Sequence, residues 1–296
     1  MKVVKPTPIT SANLVSSTAT EAHSEWSSVT TYALNDRVIL AAAGRIYQCI
    51  VDPNTNHPPA SSPLYWIDVG PTNKWAMFDE KISTQSAQAT ALTVVIKPGY
   101  VNSLAVFGLE GATLAVTVRD GLSGPVVYTY TKDLDGTIIA DWYQYYFESS
   151  VQLADVVLTD LPPYGDAHIT VEVGSGGTAK CGILIAGTVY VLGDTQYGAT
   201  ASITDYSRKD TDALGVTTFV RRAYSKRMSA SLMLPNSQLN KVQRVLADLR
   251  ATPCAWLGTD SAGFEPLTMF GFYRDFSIDV AYPAQSYCSL EVEGLT

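Results

Sequence analysis

The chain has 296 residues, with 28 acidic and 20 basic side chains, and therefore a formal net charge of −8. A negative charge argues against general binding to nucleic acid, because such binding rests on neutralisation of phosphates by lysine and arginine. The hydrophobic fraction is 46% and the charged fraction only 16%, which is more apolar than an average soluble protein. The length predicts two or three compact units, and the low charge favours burial of surface against other subunits.

The four cysteines lie far apart without a C-x-x-C pair. This spacing predicts reduced, partly buried thiols rather than a zinc site or a disulfide framework. The opening MKVVKPTPITSANL contains two prolines before any apolar segment, so no secretory signal is expected. The longest apolar stretch, CGILIAGTVYVLG, is too short for a membrane helix. We expect a protein assembled in the cytoplasm, without membrane insertion.

Residues 1–24 are predicted to form an extended N-terminal arm, because prolines and SSTATEAHS offer little that could form a core. Arms of this kind commonly dock on a neighbour. Residues 25–70 contain short alternating runs, DRVIL and RIYQCIV, joined by AAAG and followed by the proline-rich DPNTNHPPASSP. This pattern predicts a small unit of two or three strands.

Residues 71–187 contain one short strand-like run after another, separated by turn signals such as PGY, GLSGP and GSGG. The spacing predicts an antiparallel β-sandwich of jelly-roll or galactose-binding type, without helical periodicity. The predicted strands are ALTVVIK, SLAVFGL, TLAVTVRD, VVYTYTK, YYFES, DVVLTDL, HITVEV and CGILIAG.

Residues 188–296 are predicted to form an α+β unit with one amphipathic helix laid across an antiparallel sheet. The apolar face of that helix consists of Leu239, Val242, Val245, Leu246 and Leu249. Asn236 or Ser237 is predicted to cap its N-terminus. The flanking predicted strands are ATASITDYSR, TTFVRRAYSKRMSASLML, PCAWLG, LTMFGFYRDFSIDVAY and SYCSLEVEGL. The fold class as a whole is therefore predicted to be mainly β.

No catalytic, cofactor-binding or metal-ligating residues are predicted. The three histidines lie in different sections, and neither G-x-S-x-G, H-E-x-x-H nor a phosphate-binding loop occurs. The carboxylate pairs Asp133 with Asp135 and Asp155 with Asp160 show no sign of a raised pKa that glycoside hydrolysis would need. The run DLDG lacks the remainder of a calcium loop and predicts an Asx turn before Gly136.

The run FVRRAYSKRM is basic within an acidic chain. On one continuous strand, Arg221 and Arg227 would share one face, with Arg222 and Lys226 on the other. A solvated or intersubunit ion-pair role is favoured over phosphate binding.

Aromatic side chains are concentrated in residues 25–70, where Trp26, Tyr32, Tyr47, Tyr65 and Trp66 are candidates for carbohydrate binding. Sugar-binding proteins stack flat rings on pyranose faces, which requires exposed tryptophan or tyrosine. A unit of this size buries little, so the same rings could instead form its only core. Both interpretations remain open for all five residues.

The segment EW…TTYALNDRVILAAAGRIYQCI…HPP…YWIDVG resembles the chitin-binding type 5/12 carbohydrate-binding module. The positions that match the family pattern in order are Trp26, Tyr32, Asp36, Val38, Gly44, Tyr47, Pro58 and Trp66. Asn35 stands where that family usually has glycine. The resemblance implies that some of these aromatics form the core and only a few contact sugar.

The continuation VGPTNKWAMFDEKISTQS, with DYSRKDT, QRVLADLRATPCAWLG, GFYRDFSIDVAY and SLEVEGLT, is similar to tail-tip or baseplate proteins of long-tailed bacteriophages. This resemblance implies a structural virion protein that contacts other tail proteins, forms a trimeric or hexameric ring and presents its small unit to cell-surface polysaccharide. The alternatives are a glycan-degrading enzyme or its accessory protein, or a small unit that acts only as a spacer.

Overall fold

The computed structural model describes residues 1–137, 139–149, 151–261, 263–280 and 282–295. Within these ranges, antiparallel strands form a ten-stranded sheet, a five-stranded sheet and three smaller ones. This arrangement confirms the predicted mainly β class. Single 3-10 turns occur at Pro59–Ser61, Ala76–Phe78, Asn236–Gln238 and Glu265–Leu267.

The first part of the chain contributes two strands to the large sheets and then forms the small unit. The two early strands are β1 (Lys2–Pro6) and β2 (Leu14–Ser17). Strands β4, β5 and β7 of the small unit form a three-stranded sheet, and β3 pairs with β6. The bounds are β3 (Thr31–Tyr32), β4 (Arg37–Leu40), β5 (Arg45–Cys49), β6 (Asn54–Thr55) and β7 (Trp66–Pro71).

The middle section supplies the five-stranded sheet, ordered β11, β10, β13, β8, β2, and one end of the ten-stranded sheet. Its elements are β8 (Ser86–Ile96), β9 (Ser103–Phe107), β10 (Thr113–Asp120), β11 (Val126–Asp133), α1 (Trp142–Phe147), β12 (Val156–Leu158), β13 (Ala167–Cys181) and β14 (Ile183–Val191). Every second residue of β10, from Leu114 to Val118, is buried, as expected for a sheet with one face on a core.

The last section completes the ten-stranded sheet. That sheet runs in the order β12, β9, β14, β1, β20, β21, β22, β19, β15, and β16 also pairs with β19. The elements are β15 (Asp194–Thr195), β16 (Thr200–Asp205), β17 (Arg208–Thr211), β18 (Thr217–Val220), β19 (Tyr224–Pro235), α2 (Leu239–Asp248), β20 (Cys254–Leu257), β21 (Thr268–Asp279) and β22 (Gln285–Gly294).

The ten-stranded sheet packs on both faces near β9, where all five residues are buried. On one face, Leu104 and Val106 join the core shared with the five-stranded sheet. On the other, Phe107 packs against Phe270 with ring centroids 5.9 Å apart. The boundary predicted after residue 187 lies inside β14, so the sandwich and the C-terminal unit share one sheet.

The N-terminal residues contribute to the core, contrary to the expectation for the arm at residues 1–24. Strand β1 lies between β14 and β20, and Val3 and Val4 are fully buried. Leu14 is buried against the sandwich core. Val3 packs into the C-terminal core and Val4 into the cluster around Phe107 and Phe270, because successive side chains of a strand point to opposite faces of the sheet.

The amphipathic helix α2 is confirmed, with Val242, Leu246 and Leu249 buried in the C-terminal core. The capping prediction is wrong, because a 3-10 turn precedes α2 and no side chain caps it. Asn236 instead donates from Nδ2 to the carbonyl oxygens of Tyr282 and Pro283, at 3.0 and 2.9 Å.

Two strand predictions are also wrong. Residues 145–147 of YYFES belong to α1, whose Asp141 carboxylate accepts a hydrogen bond from the Gln144 amide at 2.8 Å. Aromatic residues favour strands, but this cap satisfies a helix terminus. The run TTFVRRAYSKRMSASLML is divided between β18 and β19, so the four basic residues do not alternate along one strand.

Candidate functional site

The small unit is held together by a core of four buried side chains: Tyr32, Val38, Cys49 and Trp66. The rings of Tyr32 and Trp66 meet edge to face with centroids 5.2 Å apart. The Tyr32 hydroxyl accepts a hydrogen bond from the Ser27 amide at 2.7 Å. Both aromatic residues thus bury their rings while their polar atoms find partners, as buried tyrosine and tryptophan usually do.

The turn before β4 has a backbone conformation that usually favours glycine. Asn35 has φ 73°, and asparagine is among the non-glycine residues that tolerate the left-handed region best. Its amide donates to the Cys49 carbonyl oxygen at 2.8 Å, and the Asp36 carboxylate accepts from the Ala33 amide at 2.8 Å. The departure from glycine therefore leaves the tight turn intact.

Hydrogen bonds connect the loop between β6 and β7 to the core of the small unit. Trp66 Nε1 donates to the His57 carbonyl oxygen at 2.8 Å. His57 Nδ1 lies 2.9 Å from Asn54 Oδ1, and Asn54 is fully buried. The His57 ring stacks on Tyr65, with centroids 3.6 Å apart and an interplanar angle of 10°. One face of Tyr65 is thus occupied by a neighbour within the chain.

The structure brings all five candidate aromatics into one cluster but divides them by exposure. Tyr32 and Trp66 are 6% and 3% exposed, so neither ring can stack on a sugar, and both are corrected to core residues. Trp26, Tyr47 and Tyr65 are half-buried and pack against that core. The rings with accessible surface are therefore Trp26, Tyr47 and Tyr65.

Tyr47 has a charged neighbourhood that sequence reasoning missed. Asp68 of β7 is its partner across the sheet, next to an irregularity in the strand register. Arg45 lies two residues from Tyr47 along β5, and its guanidinium binds the Asp68 carboxylate through Nε and Nη2, each 2.9 Å from an oxygen. Aromatic surface beside fixed polar groups can stack on the apolar face of a pyranose ring and orient its hydroxyls.

The small unit is packed against the sandwich through Gly44 and Trp75. Gly44 has φ +63°, and a Cβ atom there would lie 2.5 Å from Trp75 Cδ1. The Thr72 amide donates to the Gly44 carbonyl oxygen at 2.9 Å. Glycine is required both by the left-handed backbone and by the close approach of the indole. This contact fixes how the small unit sits on the larger body.

The candidate carboxylates lie in ordinary structural settings. Asp155 is ion-paired with Lys226 at 2.6 Å, and Asp160 accepts a hydrogen bond from the Tyr128 hydroxyl at 3.1 Å. Asp135 accepts from the side chain and the amide of Thr137, which lowers the pKa of its carboxyl group. The Asp135 contacts confirm the predicted Asx turn in DLDG.

The basic run makes two ion pairs within the chain. Lys226 pairs with Asp155, and Arg227 Nη2 lies 3.4 Å from the Glu293 carboxylate. Arg221 and Arg222 are exposed. An ion-pair role therefore accounts for the part of the run that lies in β19.

All four cysteines are free and buried, as predicted. Burial raises the pKa of the Cys181 thiol to about 12. No group of three or more histidine, cysteine, aspartate or glutamate residues suited to a metal ion occurs in the described part of the chain. Among the same residues, no helix is long and apolar enough to cross a membrane.

Neither a protein-family model nor a curated protein matches this sequence.

Proposed function

We propose that the protein is a non-enzymatic structural subunit of a phage tail tip or baseplate, and that its small unit contacts cell-surface polysaccharide. The observation that carries the proposal is large aromatic and aliphatic surface exposed on an otherwise well-packed β framework. Helix α1 exposes Trp142, Tyr143, Tyr145, Tyr146 and Phe147, each by 59 to 78%. Exposed apolar patches of this kind mark interaction surfaces.

A second exposed apolar surface lies on the hairpin formed by β17 and β18. Leu214, Val216, Phe219 and Val220 are all exposed there. A monomer that kept both surfaces in water would be prone to aggregation, whereas a subunit of an assembly covers them with neighbours. The resemblance of VGPTNKWAMFDEKISTQS and of the C-terminal runs to segments of tail-tip and baseplate proteins supports a phage particle as that assembly.

The accessible rings of the small unit support a weak, shallow glycan contact. Trp26, Tyr47 and Tyr65 are half-buried, and Tyr47 adjoins the Arg45–Asp68 pair. A shallow contact of this kind gives low affinity for one copy. Several copies in one particle raise the apparent affinity through effective concentration.

Location in the particle is tested by immunogold labelling of phage particles produced in the native host. Label at the distal end of the tail is the expected result. Protein found free in the medium, with no label on any particle, would contradict the structural role. That outcome would favour the glycan-degrading or accessory alternative, which assays of turnover on peptidoglycan, chitin and lipopolysaccharide would then test.

The glycan role is tested separately with adsorption of variant particles. We expect Tyr47→Ala and Tyr65→Ala each to reduce adsorption, because each removes an accessible ring at little cost to the core. Tyr197→Ala is the matched control, since Tyr197 is fully exposed and lies outside the small unit. Normal adsorption of both test variants would mean that the small unit acts only as a spacer.

A further inference from the structure

Helix α1 has an inverted distribution of side chains. Gln144 is half-buried, and its backbone amide donates to the capping Asp141 carboxylate. The other five residues of the helix are aromatic and exposed. A surface helix normally buries its apolar side and exposes its polar side. The inversion indicates that the aromatic residues, here called the aromatic helix surface, are covered by something outside the protomer.

The area of the aromatic helix surface fits a stable protein interface. A large aromatic side chain buries 150–250 Å² when fully covered, so five such chains at the observed exposure offer about 700 Å². A monomer rarely exposes a patch of that size, and a standard interface needs about 800 Å² on each partner. The helix and its flanks are therefore large enough to hold a protein partner.

The charge around the aromatic helix surface selects the partner. Residues 133–149 contain four carboxylates and neither lysine nor arginine. The second exposed apolar surface, on the β17–β18 hairpin, has the opposite charge: residues 206–224 contain four basic side chains and two acidic ones. Both surfaces carry exposed apolar groups, and the charge of one is negative while that of the other is positive. Such complementary charges guide two proteins together.

The segments that connect helix α1 and the β17–β18 hairpin to the body of the protein lie next to each other. Asp155, which follows α1, is ion-paired with Lys226, which follows the hairpin. A cavity of about 290 Å³ between these two segments is lined in part by Ala154, Asp155, Ala223 and Tyr224. Because the helix and the hairpin start from neighbouring points on the body, each copy can present its helix to one neighbour and its hairpin to the next, and a closed ring of copies covers both surfaces in every protomer.

We propose that the aromatic helix surface of one protomer packs against the β17–β18 hairpin of a second copy of this chain. The proposal rests on the assembly role proposed above and names its partner. Apolar contact between Trp142, Phe147 and the hairpin residues Leu214 and Phe219 supplies the affinity. The pairing of Glu148 with Arg221 or Arg222 sets the orientation.

The first test is disulfide trapping in the full-length chain. The native cysteines are buried, so Phe147→Cys combined with Phe219→Cys introduces the only accessible thiols among the described residues. We expect a disulfide-linked dimer under mild oxidation for the pair, and less for each single variant. The control pair Tyr197→Cys with Phe147→Cys should give little dimer. A cross-link formed only within one chain would overturn the proposal.

The second test is sedimentation of the purified chain with reversed charges. Glu148→Arg and Arg221→Glu should each weaken self-association by about tenfold, and their combination should restore it to within about threefold. Arg244→Glu, on the exposed side of α2, is the control and should have no effect. A wild-type chain that stays monomeric up to about 100 µM would overturn the proposal, since a contact that holds copies together in an assembly requires a dissociation constant below that concentration.

The two proposals fail in distinguishable ways. Particle labelling together with a monomeric purified chain would refute the contact between copies and leave the tail role standing. A trapped dimer without particle labelling would refute the tail role and leave the contact between copies standing. Circular dichroism of each variant separates loss of association from loss of folding.

Discussion

Replacing Trp66 by alanine is expected to unfold the small unit while the larger β body stays folded. Trp66 is buried, meets Tyr32 edge to face and donates a hydrogen bond to the His57 carbonyl oxygen. Truncation of a buried tryptophan costs about 3–5 kcal/mol. A unit of this size has a total stability of about the same magnitude, so the loss is enough to unfold it.

Hydrogen exchange followed by mass spectrometry resolves this outcome by region. In Trp66→Ala, amides of residues 31–71 should lose protection by about two orders of magnitude or more, since about 3 kcal/mol corresponds to roughly 150-fold. Amides of β8, β10 and β13 should be unchanged. Tyr65→Ala is the control, because Tyr65 is half-buried and its replacement should leave most of that protection in place.

A core role for Trp66 would be refuted if Trp66→Ala kept the protection of residues 31–71 and instead reduced binding to glycan. That result would mean that the indole is a ligand contact rather than part of the core. Trp66→Phe adds a second check, because it retains an aromatic ring but loses the hydrogen bond to His57, at a cost of about 1–3 kcal/mol.

Three further predictions concern the packing of the larger body. Gly44→Ala should lower the free energy of unfolding, measured in urea, by about 1–3 kcal/mol through backbone strain and the clash with Trp75. Gly99→Ala is the control, because Gly99 also has a positive φ but open space around it. An equally large loss in the control would mean that the clash with Trp75 contributes nothing. Cys181 should not react with a thiol reagent at pH 8, because burial raises the pKa of its thiol from 9.0 to about 12. The protonated thiol therefore stabilises the fold below pH 9, and this contribution is lost as the pH rises from 9 to 12. Thermal unfolding of Cys181→Ala should therefore depend less on pH above 9, and an unchanged slope would contradict the assignment. A double-mutant cycle of Asp155→Asn and Lys226→Met should give a coupling of about 0.5–1 kcal/mol, because the pair is only partly exposed. A coupling near zero would mean that the pair does not join the segments that follow α1 and the hairpin.

The elements that the sequence predicts well are those whose pattern is local. The 3.6-residue spacing from Leu239 to Leu249 predicts α2, and the alternation in TLAVTVRD predicts β10. The position of β1 could not be predicted in this way, because its partners Val189 and Ala255 are remote in sequence. The sequence pattern does not predict helix α1, because its aromatic residues favour strands. The helix depends instead on the Asp141 side chain, which caps its N-terminus.

The sequence predicts which aromatic residues form the candidate site but not which of them are exposed. The sequence concentrates all five aromatics in residues 25–70, and they form one cluster. Which rings are buried depends on their polar partners: Trp66 reaches the His57 carbonyl oxygen, and Tyr32 reaches the Ser27 amide. The position of Asp68 beside Tyr47 depends on an irregularity in the register of β5 and β7, and no sequence signal predicts it.

The central position of β1 has a consequence for biosynthesis. Residues Lys2–Pro6 pair with Gly187–Val191 and Ala255–Leu257, so the ten-stranded sheet cannot be completed until residue 257 has left the ribosome. Until then the edges of the strands on either side of that gap stay unpaired, and unpaired edges recruit other strands. Such a topology has a high contact order and folds slowly. Newly made chains therefore pass through an aggregation-prone state, in which chaperones or early assembly with neighbours would protect them.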